Sequence, residues 1–161
     1  MHLTARPSGP LTGRVRPPGD KSISHRALLF GALAEGATEI DGLLEGDDVL
    51  RTAAAMAAFG APATRSPDGR WTIRGRGREG FAEPAGPIDF GNSGTGVRLT
   101  MGAAGRFPLL AVYTGDQSLS GRPMRRVLEP LSRMGVESLS RTGGLLPAAV
   151  RGKAGLNALS Y

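Results

Sequence analysis

An α/β (α+β) fold assembled from repeated β-α-β-α-β-β units is what this sequence predicts, on three observations. Apolar residues recur at helical spacing in windows that end on glycine, as in Ala27, Leu28, Leu29, Ala32 and Leu33 ahead of Gly36. Short β-prone runs flank turn-forming clusters, as around Ser66-Pro67-Asp68-Gly69-Arg70 and Thr142-Gly143-Gly144. The same order of segments then occurs twice, offset by about seventy residues.

In the first copy, Leu11 to Arg16 reads as an opening strand and Ser22 to Leu33 as a helix stopped by Gly36. A strand over Ala37 to Leu44 follows. Asp47 and Asp48 are acidic N-cap candidates for a second helix, Val49 to Phe59, ended by Gly60. Ala61 to Arg65 and Trp71 to Arg74 pair as a hairpin. In the second copy, Pro87 to Phe90 is the opening strand, Gly91 to Gly96 leads into a helix near Val97 to Ala104, and Leu109 to Tyr113 is a strand. Gly115-Asp116-Gln117 echoes Gly46-Asp47-Asp48. A helix over Met124 to Met134 closes at Gly135, and Val136 to Val150 forms the second hairpin. A unit of this kind cannot cover both its helices and its sheet alone, so it needs neighbours to complete a core.

The chain has 161 residues, enough for one ordinary core, and 40% hydrophobic with 21% charged residues marks it as globular. No apolar run reaches the roughly 18 residues that span a bilayer, and the first residues lack the apolar stretch of a secretory signal, so the expectation is a soluble, cytoplasmic protein. With no cysteine, thiolate chemistry and disulfides are excluded. The two isolated histidines, His2 and His25, argue against a zinc centre, and no cofactor or metal is expected. Net charge +6 admits nucleic acid, acidic lipid or small anions as partners without choosing among them. All but two of the 20 basic residues are arginine, the exceptions being Lys21 and Lys153, so a lysine at position 21 calls for a reason.

The repeat sets Asp20-Lys21-Ser22 and Asn92-Ser93-Gly94-Thr95 at corresponding places, each opening a helix that carries an early arginine, Arg26 or Arg98. A helix N-terminus presents unpaired N–H groups and partial positive charge to an anion, and Lys, Ser and Arg side chains add charge-assisted bonds. Ser22 and Arg26, four apart, share a helix face beside Lys21. The alternative is that Asp20 or Ser22 only caps the helix and Arg26 is a solvated charge. For Gly91 to Gly96 the alternative is a tight connection that needs positive φ. Gly115 to Met124 is a polar loop in which Pro123 suits a first helical turn and restricts Arg122 at another helix mouth. The alternative for Arg122 is an ordinary loop arginine, and Arg125 and Arg126 read as solvated helix charges.

Three segments, Gly19-Asp20-Lys21-Ser22-Ile23-Ser24-His25-Arg26, Asp89-Phe90-Gly91-Asn92-Ser93-Gly94-Thr95-Gly96, and Gly115-Asp116-Gln117-Ser118-Leu119 with Arg122-Pro123-Met124, resemble the 5-enolpyruvylshikimate-3-phosphate synthase family. The resemblance runs through essentially the whole chain, including the Gly46-Asp47-Asp48 turn and the Gly144-Leu145-Leu146-Pro147 hairpin. It implies the enolpyruvyl transferase inverse α/β barrel with about two of its six repeats present. It further implies that residues 1–20 pack with a C-terminal domain, that residues 21–161 form part of an N-terminal domain, and that the repeats fall near 21–82 and 83–152 with a stub of a third at 153–161.

The implied reaction moves the enolpyruvyl group of phosphoenolpyruvate to the 5-hydroxyl of shikimate 3-phosphate, on the way to chorismate and aromatic amino acids. The resemblance assigns Lys21 to both substrates, Ser22 and Arg26 to shikimate 3-phosphate, and Gly94 and Arg122 to phosphoenolpyruvate. Asn92 and Thr95 become supporting residues, and Arg98 a structural or electrostatic one. A compact ammonium can stand between two ligands where a planar guanidinium would dictate geometry, which explains the lysine at 21. The family's acid and base residues lie in the part this chain does not span, so the chain alone is expected to be inactive and to need that portion as its partner. The resemblance also implies a monomeric whole enzyme with neither nucleic acid nor membrane as partner, and a glyphosate-sensitive pocket at Gly94.

The residues admit two other readings. The related UDP-N-acetylglucosamine enolpyruvyl transferase usually carries a cysteine in the loop before its Arg-Pro pair, where this chain has Gln117-Ser118-Leu119-Ser120-Gly121. A non-catalytic basic anion-binding module is suggested by Arg74, Arg76 and Arg78 near Trp71, but aromatics are only 5% of the chain, and these arginines read as a solvated hairpin edge.

Overall fold

The computed structural model describes residues 3–160, and its elements form two runs that echo one another. The first holds α1 (Lys21–Leu33), β1 (Ala37–Ile40), α2 (Asp47–Ala58), β2 (Ala63–Arg65) and β3 (Trp71–Arg74). The second follows a 3-10 turn at Gly77–Glu79. It holds β4 (Ile88–Asp89), α3 (Gly94–Ala104), β5 (Leu110–Thr114), α4 (Gln117–Ser120), α5 (Arg125–Arg133), β6 (Glu137–Arg141) and β7 (Leu145–Arg151).

Strand order shows the repetition most directly. One sheet runs β1-β3-β2, all antiparallel, and the other β4-β5-β7-β6, in which the last three strands reproduce that order. β4 is the additional strand, parallel to β5 with Ile88 opposite Tyr113. Its expected counterpart, Leu11 to Arg16, is not a strand, and this corrects the sequence reading. Residues 3–18 are exposed throughout, Leu11 and Val15 each at 94%. A strand with neither face covered lacks the apolar burial that offsets the cost of ordering it.

Several boundaries also move. β1 ends at Ile40, because Gly42 turns the chain with a φ of 69°. Asp47 and Asp48 are not caps: Gly46 is the N-cap of α2, and the two carboxylates sit in its first turn, where the helix dipole favours them. α3 starts at Gly94, three residues before the expected Val97. Residues expected to be loop, Gln117–Ser120, form the short α4 because Asp116 caps them, its carboxylate accepting from the Leu119 N–H at 2.7 Å. Pro123 lies ahead of α5, whose cap is Met124, rather than in its first turn.

The helices form the interior, α1 on α2 and α3, α2 on α3, and α3 on α5. Each sheet turns one face to them. Alternation puts Ala111 and Tyr113 of β5 and Leu146, Ala148 and Val150 of β7 into the core, with Ile40 and Ile73 doing the same from the first sheet. Aromatic contacts tie the two runs together: Phe59 stacks on Phe81 at 4.7 Å between centroids, and Phe81 meets Phe107 at 5.1 Å. No helix among the described residues is long and apolar enough to cross a membrane.

This packing places the starts of α1, α2 and α3 together. Gly96 makes the closeness of α2 and α3 possible, since a Cβ there would lie 2.6 Å from Ser93 Oγ and also press on the Thr52 hydroxyl. Phe59 is fully buried at the junction between the runs. Phe59→Ala should therefore lower unfolding free energy by about 3–5 kcal/mol, read as a fall in the urea midpoint at unchanged m-value.

Candidate functional site

At the mouth of α1 the cap is Asp20, whose carboxylate accepts from the Ile23 N–H at 2.7 Å. Ser22 is therefore not the cap, and it stands exposed in the first turn. Ser24 anchors this turn: its buried hydroxyl donates to the Asp20 carbonyl at 2.7 Å and accepts from the Leu44 N–H at 3.0 Å. The Lys21 ammonium pairs with the Asp48 carboxylate from α2, leaving half of the lysine side chain exposed. Arg26 bends back to donate to the Ser22 carbonyl at 3.0 Å, so Lys21, Ser22 and Arg26 line one exposed edge.

Behind that edge runs a buried polar belt that the sequence reading missed. The Ser93 hydroxyl donates to the Asp48 carbonyl at 2.9 Å, and His25 Nδ1 lies 2.8 Å from Thr52 Oγ1. His25, Thr52 and Ser93 are all buried. Burial, then the neighbouring Lys21 charge, with Arg26 adding to it against an opposing pull from Asp48, hold the His25 pKa below its usual 6.5. Nδ1 and the Thr52 hydroxyl share this hydrogen bond, while Nε2 is buried without a hydrogen-bond partner among the described residues, so charging the ring would add a donor with no acceptor. Helical spacing alone marked His25 only as a motif residue; its partners come from another helix.

The second helix mouth is built around Arg122. Arg122 Nη2 donates to Asn92 Oδ1 at 2.7 Å and to Ser118 Oγ at 3.0 Å. The Asn92 amide in turn donates to Asp116 at 3.0 Å, so the carboxylate that caps α4 also orients the amide that holds the arginine. Arg98 Nη1 donates to the Gly94 carbonyl at 2.9 Å and Nη2 to the Pro123 carbonyl at 3.1 Å. Half-buried and close to the Arg122 and Arg126 charges, Arg98 has its pKa held below the usual arginine value, by burial first. A Cβ on Gly94 would come within 3.0 Å of Arg98 Nη1 and 3.3 Å of Arg122 Nη1, so the bare Cα faces two guanidinium groups. Within the Gly-rich turn only Gly91 requires positive φ, at 51°; Gly94 and Gly96 are glycines for closeness.

Of the eight residues singled out by sequence, the hydrogen bonds connect Lys21 through Asp48 and Ser93 to the turn that carries Asn92 and Gly94, and those two accept from Arg122 of the loop after α4 and Arg98 of α3. Thr95 is exposed on the first turn of α3, outside this network among the described residues. Arg74, Arg76 and Arg78 lie apart from it. Arg74 and Arg78 are exposed, Arg78 pairing with Glu35, as expected of solvated edge charges, whereas Arg76 is half-buried, pairing with Glu79 and donating to the Gly80 carbonyl at 2.8 Å. A hollow of about 740 Å³ lies on the outer face of the second sheet, lined by Leu110, Leu139 and Ala149 among others, away from the helix mouths. Chemically, the mouths offer helix N–H groups, one ammonium and several guanidiniums to a multiply charged oxyanion.

The family profile for EPSP synthase (3-phosphoshikimate 1-carboxyvinyltransferase) matches residues 5–161. The chain belongs to the EPSP synthase family. A 3-phosphoshikimate 1-carboxyvinyltransferase of Phenylobacterium zucineum is 63% identical over 151 residues, covering 94% of this chain and 33% of that protein. The enzyme of that name from Caulobacter vibrioides is 58% identical over 159 residues, covering 99% of the chain and 35% of the relative. Among solved structures, EPSP synthase of Acinetobacter baumannii superposes with a TM-score of 0.87 at 41% identity, covering 92% of this chain and 34% of that one. The chain thus spans about a third of the length of the relatives it matches. The superposition bears out the α+β enolpyruvyl transferase fold, present in part.

The buried histidine gives this chain a pH signature. The unfolded chain protonates His25 near 6.5, whereas the folded chain resists protonation until a lower pH. Stability is therefore full above the unfolded value and falls as pH drops through it toward the folded one. Thermal unfolding measured from pH 7.5 to 5.5 should show a decline that His25→Gln flattens (about these limits, set by the usual histidine range).

Proposed function

We propose that this chain forms the N-terminal wall of a cleft that transfers the enolpyruvyl group of phosphoenolpyruvate to the 5-hydroxyl of shikimate 3-phosphate with release of phosphate. One observation carries the reading: the bare Cα of Gly94 faces the guanidinium of Arg122, itself held by Asn92 and Ser118, beside a helix mouth that presents Lys21. Electrostatic positioning of two polyanions is what such a wall supplies. Family membership supports the choice of substrates. The enzyme acts in the cytoplasm as a monomer, without a cofactor.

Lys21 is the electrostatic link between the ligands. An ammonium carries three donors, and Asp48 occupies one of them, so two remain for oxygens of different ligands. An arginine would commit its fork to a single planar partner. Ser22 and Arg26, on the same edge, hold shikimate 3-phosphate, and Gly94 and Arg122 hold phosphoenolpyruvate. Asn92 supports Arg122, and Thr95 supports the first turn of α3. Glyphosate occupies the phosphoenolpyruvate pocket that Gly94 leaves open. Residues 1–20, of which 3–18 are exposed along their whole length, pack against the C-terminal domain. Residues 21–161 belong to the N-terminal domain, with repeats near 21–82 and 83–152 and the start of a third after them.

The test is reconstitution. The 161-residue chain, the remaining portion of the Phenylobacterium zucineum relative, and their mixture are assayed for phosphate release from phosphoenolpyruvate and shikimate 3-phosphate. Neither part alone should turn over, the mixture should, and Lys21→Ala should reduce the mixture's kcat/KM by about a hundredfold or more. Turnover by the chain alone, or a Lys21→Ala mixture as active as the parent, sinks the reading. Gly94→Ala, which places a methyl against both guanidiniums, should weaken inhibition of the mixture by glyphosate.

A further inference from the structure

Among the described residues, Arg98 is an arginine without a carboxylate partner. Its guanidinium is spent on two backbone carbonyls, Gly94 at 2.9 Å in the first turn of α3 and Pro123 at 3.1 Å in the loop that follows α4. These carbonyls belong to the residue that faces Arg122 and to the residue that follows it. No other side-chain hydrogen bond among the described residues joins the first turn of α3 to the loop immediately after Arg122. Asn92, the other link between these regions, grips the Arg122 side chain itself from the turn before the helix.

We propose that Arg98 is a positioning residue: its two-pronged bond sets the gap between Gly94 and Arg122, and so the direction in which the Arg122 guanidinium is presented to an oxyanion. The claim rests on the reading of Arg122 as an anion ligand, but it concerns a different atom set. Three features favour positioning over simple packing. The planar fork of a guanidinium is the side chain that can span two carbonyls in a fixed geometry, and an ammonium cannot reproduce it. Arg98 is half-buried beside Arg122 and Arg126, an arrangement of like charges that packing alone would avoid. The Arg98 Nη1 also stands closer than Arg122 Nη1 to the point where a Gly94 Cβ would be, so Arg98 forms the floor of the gap that Arg122 borders.

The experiment uses the 15N-labelled chain and inorganic phosphate as the probe. The Arg122 Nε–Hε resonance, identified by its loss in Arg122→Lys, reports side-chain order, and exposed Arg14, outside any helix or strand, serves as the solvated reference. Arg98→Lys keeps the charge and removes the fork; Arg98→Ala removes both. Both variants should move the Arg122 resonance toward that of Arg14 and weaken phosphate binding by about tenfold, with Arg98→Lys close to Arg98→Ala because geometry rather than charge is lost. An unchanged Arg122 resonance in the folded variants overturns the proposal, whatever happens to phosphate affinity. Global unfolding of both variants overturns it too, since Arg98 would then be a packing residue. If Arg122→Lys leaves phosphate affinity unchanged while the Arg98 variants still release the Arg122 side chain, the anion-ligand reading fails and the positioning role stands.

Discussion

Asp48 stands in the first turn of α2 with its carboxylate on Lys21 of α1 and its carbonyl on the Ser93 hydroxyl ahead of α3. One residue thus ties the starts of three helices, and the chemistry of the wall depends on those starts staying together. The belt behind it makes the tie rigid. Thr52, a turn along α2, meets His25 of α1, and Gly96 brings α3 close enough that any side chain there would strike Ser93. Because these polar groups are buried, leaving one unpaired would cost more than a surface bond returns, so the belt specifies a single arrangement of the helices.

The wall is electrostatically loaded in a graded way. Among the described residues, Lys21 has a carboxylate partner, Arg122 has neutral partners in Asn92 and Ser118, and Arg98 has only carbonyls. Neutral partners fix a guanidinium in place without cancelling its charge, which keeps Arg122 available to an incoming anion. Asp116 contributes from one step further back, orienting the Asn92 amide while its other oxygen caps α4. Acidic residues in this region act as struts and caps, and Lys21, Arg26 and Arg122 are exposed while Arg98 is half-buried behind them.

Much of the repeat was legible in sequence because its signals are local. Gly36, Gly60 and Gly135 all adopt positive φ at the places where helices were expected to stop, and the turns at Ser66 to Arg70 and Thr142 to Gly144 join paired strands as expected. The segment Leu11 to Arg16 holds the place of an opening strand in the repeat and is not one, since a place in the repeat does not supply a neighbour to cover it. Caps were harder: Asp20 and Asp116 cap their helices through side chains, while Asp47 and Asp48 have the right chemistry one or two positions too late. The choice between Gly46 and Asp47 is made by the path of the incoming chain, which composition does not record.

At the site, the sequence by itself determined the inventory: an isolated lysine among arginines, two equivalent helix mouths, a glycine where a side chain would obstruct, and the family those motifs denote. Spacing along one helix could place Ser22 beside Arg26. It could not pair Lys21 with Asp48, Arg122 with Asn92, or Arg98 with Pro123, because each of those contacts joins segments more than twenty residues apart. Only the tertiary structure decided them, for a physical reason: a hydrogen bond is directional and acts over about three ångströms, so its partners are set by how the helices pack and not by their distance along the chain.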